Sequence, residues 1–425
     1  MTTLIIGGGW SGLAAAVTLA QQGQAVHLIE SAKQLGGRAR NVQWHQQTID
    51  NGQHLMIGAY NRMLAMMDTV GISPDEAFHR YAMDITLLDS QFPPLNLSSK
   101  SLLPWPLSLA WNLIRSAGLM GFYSVTKLQS SITKTLSEED VSVSEWLHST
   151  HQSKRLIKQL WEPLCLATLN TPIDQASAHL LATVLKESLG QGQKAAESLI
   201  PRLPLGDVFP HAAANYIQKN GGSISLQTRA KQLIIEQGKV SSIVCQDGQI
   251  LTADNIILAT SPTQSAKLLA EHINLDSPKE YPICTVYLQY PVNTRLNKPM
   301  FGMTGTISQW VFDRSEQSPG LMAIVISGPG KHETMSNETL IQHVCQEVVS
   351  LFPDFPKTAN DSLVIREKRA TFASTVGIEK FRPTSQTAIK GLWLAGDYIK
   401  NGYPATLEGA IRNGENCAQH LLNQR

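Results

Sequence analysis

The sequence predicts an α/β fold: a parallel sheet of the nucleotide-binding kind, drawn from both ends and the middle of the chain, with a discontinuous α+β domain built from the insertions. Three observations carry this reading. A glycine-rich turn joins an apolar run to a small-residue helix at the amino terminus, a carboxylate closes the next apolar run, and a late apolar run ends in Gly396-Asp397 before a final helix.

Thr3 to Ile6 reads as a strand, Gly7-Gly8-Gly9-Trp10-Ser11-Gly12 as the turn, and Leu13 to Gln22 as the helix. Gly7 permits the tight turn, Gly9 lets the backbone approach a pyrophosphate, and Gly12 lets the helix lie close on the strand. Ser11 and the helix N-terminus face the anion. Ala25 to Ile29 is the second strand, and Glu30 at its end suits ribose hydroxyls while repelling a 2′-phosphate. Ala230–Glu236, Val240–Cys245 and Gln249–Ala253 read as a meander, with Gln237-Gly238 and Asp247-Gly248 as its turns. It leads into a buried strand that ends near Ala259-Thr260-Ser261-Pro262. Gly391 to Asp397 is another buried strand with a Gly-Asp turn. In the following helix Leu407, Ala410, Ile411, Gly414, Ala418 and Leu421 share one face.

Composition bounds the function. The 425 residues carry 35 Lys+Arg against 34 Asp+Glu, a net charge of +1, which lacks the basic footprint of a nucleic-acid binder. With 42% hydrophobic and 16% charged residues, the chain has material for a large core. Cys165, Cys245, Cys284, Cys345 and Cys417 are scattered, with no C-x-x-C pair, so we expect a reducing, cytoplasmic setting and no metal site. The expected boundaries are 1–80, 200–265 and 385–425 for the nucleotide domain. Residues 81–199 and 266–384 make the substrate or cap domain, with 96–199 mainly helical, 281–328 strand-rich and Leu340–Phe352 an amphipathic helix.

Ser101 to Ile114, bounded by Lys100 and Arg115 and interrupted by Pro104 and Pro106, falls short of the ~20 residues a spanning helix needs, and the stretch from Leu102 to Tyr123 is apolar on nearly every helical face. It admits two readings: cap-domain core, or a surface that dips into the inner face of the cytoplasmic membrane.

Leu35-Gly36-Gly37-Arg38-Ala39-Arg40 resembles the second glycine motif of the glutathione-reductase-like FAD superfamily, in its amine oxidase and phytoene desaturase branch. The Gly396-Asp397 turn and the helix after Ala405-Thr406 resemble that branch's C-terminal flavin motif. The resemblance implies a Rossmann-like FAD-binding domain in an amine oxidase-like architecture. It assigns Gly7, Gly9, Ser11, Gly12, Glu30, Gly36, Gly37, Arg38, Asp397, Ala405 and Thr406 to the cofactor. No second G-x-G-x-x-G appears, so a separate NAD(P)H domain is not expected.

Four further motifs stand out, the last three more specific than the glycine fingerprints: Asp50-Asn51-Gly52-Gln53-His54 through Tyr60, Trp161-Glu162-Pro163 through Pro172, Ser308-Gln309-Trp310-Val311-Phe312-Asp313-Arg314, and Gly402-Tyr403-Pro404-Ala405-Thr406-Leu407-Glu408-Gly409-Ala410. Together they resemble bacterial hydroxysqualene dehydroxylases, also called squalene-associated FAD-dependent desaturases, along essentially the whole chain. The resemblance implies reductive removal of the hydroxyl of hydroxysqualene to give squalene, within hopanoid-type triterpene synthesis. Implied partners are the other enzymes of squalene synthesis and an electron donor that the sequence does not name.

Hydroxide leaves an allylic carbon poorly without a proton donor, and His54, Glu162 and Asp313 are the candidates. Trp161, Trp310 and Tyr403 are candidate aromatic walls for a developing allylic cation. Each has a plainer reading: His54 hydrogen-bonded within the fold, Glu162 at a helix end, Asp313-Arg314 as a surface pair, Asp50-Asn51-Gly52 as a turn, and Arg412 against flavin or solvent. The rivals are a carotenoid-type desaturase or amine oxidase running in the opposite electronic direction, and a flavin-free lipid-binding protein.

Overall fold

The structure, a computed structural model, describes residues 2–100 and 103–424, so Leu102 of the apolar stretch lies outside the described residues. Five parallel strands lie in the order Ser223–Ser225, Ala25–Ile29, Thr2–Ile6, Asn255–Leu258 and Leu392–Leu394. Their apolar runs are largely buried, as a parallel sheet covered on both faces requires. The helices Trp10–Gln21 and Leu407–Asn423 pack together so closely that a Cβ on Gly414 would stand 2.1 Å from the Ser11 carbonyl oxygen. The meander Ala230–Glu236, Lys239–Cys245, Ile250–Thr252 forms with its turns at the expected glycines.

A seven-stranded sheet takes its strands in the order Asp361–Phe372, Glu280–Gln289, Leu321–Ser327, Trp310–Asp313, Met300–Thr304, Asp84–Asp89 and Leu95–Ser98. One face carries Cys284, Val286, Leu288 and Ile324 into a core with Leu340, Val344 and Val348 of the Asn337–Leu351 helix. The opposite face is free to floor a cavity, because side chains alternate along a strand.

The helical insertion differs from the sequence reading in detail. The two segments expected around Leu107–Ile114 and Leu119–Leu128 form as two helical parts of the Trp105–Ser137 span, meeting at a kink at Gly118, whose φ of 75° no helical residue adopts. The expected Arg155–Leu169 helix contains a π turn over Ile157–Trp161. Ser142 and Glu145 cap the Val143–Ser149 helix reciprocally. A small sheet of Met56–Ile57, Ser198–Pro201 and Phe78–Tyr81 gave no sequence signal, its strands being too short for a period to show. All five cysteines are buried and free. Among the described residues no helix is long and apolar enough to cross a membrane.

Asp50 joins these parts. It ends the Gln47–Asp50 strand, its Oδ1 accepts from Leu205 N at 2.7 Å, and its carbonyl accepts from the Tyr287 hydroxyl at 3.0 Å. It is therefore more than the turn residue expected. Burial, helped by Asp207, raises its carboxyl from an ordinary 3.8 to about 6, against the opposing pull of Leu205 N–H and Arg314. With the folded value above the unfolded one, stability is full below pH 3.8 and declines as pH rises through about 6. Asp50→Asn, which keeps the acceptor and cannot ionise, is expected to stabilise the fold by about 3 kcal/mol at pH 8 and only about 1 kcal/mol at pH 4.5. Thermal unfolding at the two pH values checks this, and a gain independent of pH would show that another group titrates.

Candidate active site

A cavity of about 680 Å³ opens at the carboxyl ends of the parallel strands and runs to the free face of the seven-stranded sheet. Its nucleotide end is built from backbone. Gly7 has φ +115°, and a Cβ on Gly12 would lie 2.0 Å from the Gly7 carbonyl oxygen, so only glycine fits at that crossing. Gly36 N donates to Gly8 O at 2.9 Å, stitching the two glycine motifs together, and Gly9, Ser11, Gly36 and Gly37 line the opening. The Ser11 hydroxyl is buried with no partner among the described residues. That orphaned donor at a helix N-terminus fits a phosphate. Glu30 Oε1 accepts from Ala32 N at 2.7 Å and Ser31 Oγ at 3.2 Å, while Oε2 accepts only from Gly8 N at 2.7 Å, which leaves Oε2 a lone pair for a ribose hydroxyl. The residues present therefore fit FAD at this end.

The next section of the wall joins the two chain ends. Arg38 Nη2 meets Asp397 Oδ1 at 2.5 Å, and although burial opposes its charge, the carboxylate holds the guanidinium above its usual value. Asn51, whose Nδ2 donates to Arg38 O at 3.0 Å and whose Oδ1 accepts from Arg40 N at 3.0 Å, orders the Gly-Gly-Arg loop. The Asn413 side chain accepts from Gly396 N at 2.8 Å. Ala405, Thr406 and Leu407 present the N-terminus of the last helix to the cavity, with Thr406 capping Gly409 N at 3.0 Å. Arg412 is turned elsewhere: its Nε donates to Glu408 at 2.6 Å and its guanidinium lies 4.7 Å from the Tyr403 ring centroid.

The far end is apolar, walled by Leu164, Val184, Leu185, Trp310, Phe312 and Val325. Of the candidate donors only His54 reaches it. His54 Nδ1 donates to Gly52 O at 2.7 Å, and burial lowers the imidazole below its ordinary value, so the neutral ring presents an unprotonated Nε2. Asp313 does not line the cavity. Trp310 and Phe312 face it, so strand alternation turns Asp313 away, to accept from Leu296 N at 2.7 Å and Ser315 N at 2.8 Å. Glu162 and Trp161 also miss it. Leu164, Ala167 and Thr168 form the lining face, while Trp161, in the preceding π turn, donates its Nε1 to Gln152 Oε1 at 2.9 Å. Glu162 is half-buried, and burial raises its carboxyl. Trp310 and Tyr403 both line the cavity as expected.

Sequence reasoning passed over Tyr60, Glu187 and Thr285, all in the lining. Tyr60 and Thr285 lie on or beside motifs or strands that were recognised, and the alternation of the Glu280–Gln289 strand marks Thr285 as facing inward with Ile283. Glu187 gave no signal beyond its place on an amphipathic helix.

A family model described as flavin containing amine oxidoreductase matches residues 10–422. The hydroxysqualene dehydroxylase of Rhodopseudomonas palustris is 28% identical, covering 99% of this chain and 98% of its own. That of Zymomonas mobilis is 26% identical and covers 99% of both. Among solved structures, cyclohexylamine oxidase from Brevibacterium oxydans superposes with a TM-score of 0.70 at 16% identity, over 100% of this chain and 99% of its own. The architecture is amine oxidase-like.

Glu30→Ala is expected to leave the fold intact and to lower the FAD-to-protein ratio of the purified protein severalfold. The flavin absorbance of the eluted protein measures it, and full stoichiometry in a folded variant would remove Glu30 from the ribose site.

Proposed function

We propose that this chain, which belongs to the flavin-containing amine oxidoreductase family and is an FAD-dependent oxidoreductase, reductively dehydroxylates hydroxysqualene to squalene in hopanoid-type triterpene synthesis. The observation that carries the reading is the cavity itself: its lining is mainly apolar beyond the glycine motifs, and His54 is the one histidine in it. The names of the two full-length relatives point the same way. We assign residues 1–80, 200–265 and 385–425 to the cofactor domain and the insertions to the substrate domain.

Reduced flavin, when bound, supplies a hydride to carbon. Gly7, Gly9, Ser11, Gly12 and Glu30 hold the nucleotide part, and Gly36, Gly37, Arg38, Asp397, Ala405 and Thr406 flank the rest. The apolar wall of Leu164, Val184, Leu185 and Val325 excludes water, so the carbon centre is not captured by solvent as its C–O bond breaks. His54 holds the proton. Because Nδ1 is committed to Gly52 O, a proton taken up by the ring sits on Nε2, toward the cavity, and passes to the departing oxygen to give water. Burial makes that imidazolium a stronger acid than an exposed one. Trp310, Phe312 and Tyr403 offer aromatic faces to positive charge developing on the allyl carbons.

The holoenzyme, photoreduced without oxygen and mixed with hydroxysqualene, is expected to regain its oxidised absorbance as squalene appears in equal amount. No reoxidation, with the oxidised enzyme bleached instead by a carotenoid precursor or an amine, would overturn the assignment.

The same reading places the protein at the cytoplasmic membrane surface. Leu107, Trp111, Leu119, Met120 and Tyr123 of the Trp105–Ser137 helix are between 55% and 79% exposed, a large apolar patch for a water-facing helix. Between Asp89 and Glu138 the chain has no carboxylate but carries Lys100, Arg115, Lys127 and Lys134, of which Lys100 and Lys134 pair with Asp84 and Glu138, a balance that suits an anionic leaflet. Phosphatidylglycerol vesicles are expected to carry the protein on flotation, phosphatidylcholine vesicles much less, and Leu119→Ser/Met120→Ser not to bind. A dimer that the double variant dissociates, with no vesicle binding, would give the patch to a second copy instead.

A further inference from the structure

Thr285 is anomalous within the cavity floor. It pairs in register with Val325, and Val325 in turn with Trp310, so the three form one row across the sheet facing the cavity. Ile283 and Phe312 flank that row. In this apolar surface the Thr285 side chain is 1% exposed, and its hydroxyl has no partner among the described residues. A valine would fill the same volume with no polar group left over, and buried polar groups in native proteins are almost always paired.

The neighbours show what the hydroxyl faces. The point where a Cβ on Gly52 would stand lies 3.5 Å from Thr285 Oγ1 and 4.0 Å from His54 Cε1. Glycine at that position keeps open the space between the two side chains. His54 Nδ1 is spent on Gly52 O, and Nε2 has no hydrogen bond among the described residues. The other unpartnered donor on the floor, Trp310 Nε1, belongs to a ring whose Cζ3 and Cη2 rest 3.4 Å from the Cβ point of Gly302, on the side away from Thr285.

We propose that Thr285 Oγ1 and His54 Nε2 form a subsite for the alcohol oxygen of the substrate, the threonine hydroxyl donating to that oxygen and the oxygen's own proton being accepted by Nε2. The inference rests on the reading of the substrate as a long-chain alcohol. A donor and an acceptor on one oxygen fix which carbon of a flexible chain stops beside the flavin motifs. They also place the leaving oxygen against the atom that later brings its proton. The product, lacking that oxygen, leaves both groups unpaired and binds more weakly, which favours its release.

The test is ligand binding to the oxidised holoenzyme, read as the shift in flavin absorbance during titration with hydroxysqualene or squalene in detergent micelles. Wild type is expected to bind the alcohol at least about tenfold tighter than the hydrocarbon. Thr285→Val is expected to lose about tenfold of the alcohol's affinity while squalene binds as well or better. Thr285→Ser, which keeps the hydroxyl, is expected to retain the preference. If Thr285→Val keeps the full preference for the alcohol, the subsite is overturned and the dehydroxylase reading stands. If wild type itself does not distinguish alcohol from hydrocarbon, both fall.

Discussion

The contact between Arg38 and Asp397 closes the site, because it ties together segments from opposite ends of the chain. Thr2–Ile6 at the centre of the parallel sheet and Leu392–Leu394 at one edge both reach the cavity by their carboxyl ends, and the insertions between them build the other walls. With Asp397 buried and a third of the Arg38 side chain exposed, the pair is weak evidence for stability, since desolvation of one partner and solvent screening of the other offset much of its Coulomb energy. Its contribution is to position. Arg38 also donates to Ala370 O at 3.0 Å, which links the pair to the Asp361–Phe372 strand and so to the substrate floor. Arg382, almost wholly buried, donates to the carbonyls of Asp397, Ile399 and Tyr403 and fixes the loop on the other side of the pair. A guanidinium suits this task because its planar fork of donors satisfies several carbonyls at once.

The cofactor half was legible because each of its parts carries a local signature. Gly7, Gly12, Gly36 and Gly37 answer to backbone conformation and close approach, which a sequence records directly. Glu30 answers to its place at a strand end. The meander was legible through Gly238 and Gly248, whose positive φ angles match the expected turns. The substrate half was less legible because its residues act through pairings distant in sequence. Trp310, Phe312 and Thr285 become one surface only when the register of three strands is known. Asp313 shows the resulting error: a carboxylate within a specific motif was taken as a proton donor, although the alternation that points Trp310 and Phe312 inward turns it outward. Glu162 failed for a related reason, since a π turn just before it shifts the helical face that spacing alone would assign.

Electrostatics narrow the chemistry further. The candidate that reaches the apolar end is a histidine whose burial disfavours its charge, and no carboxylate of the lining acts on it to restore that charge, Glu187 being engaged with Tyr403. Such a group is a poor permanent cation and a good transient one, which suits the proposed step, in which a proton taken up from solvent leaves with the hydroxyl as water. A carboxylate beside the oxygen would stabilise the allyl cation too well and invite covalent capture. The aromatic walls stabilise the same charge without offering a nucleophile.

On the proposed function, the cavity and the exposed apolar helix act as parts of one route for a lipid substrate. The Trp105–Ser137 helix buries Leu113, Leu128 and Ile132 while exposing Leu119 and Met120 just past the Gly118 break. Next to it in the same core stand Leu181, Leu185 and Leu160. Val184 and Leu185 of the Ala178–Gly190 helix also line the cavity. A substrate with almost no solubility in water needs a route that never crosses solvent. Apolar side chains on the outer helix, the shared core beneath it and the cavity wall beyond supply surfaces of matching chemistry at each stage. Thr168, Glu187 and Ser188 put polar groups on that wall as well, while at the inner end Thr285 and His54 face one another across Gly52. On the proposed reading a chain entering by this route stops where its alcohol oxygen finds both a donor and an acceptor, beside the flavin motifs.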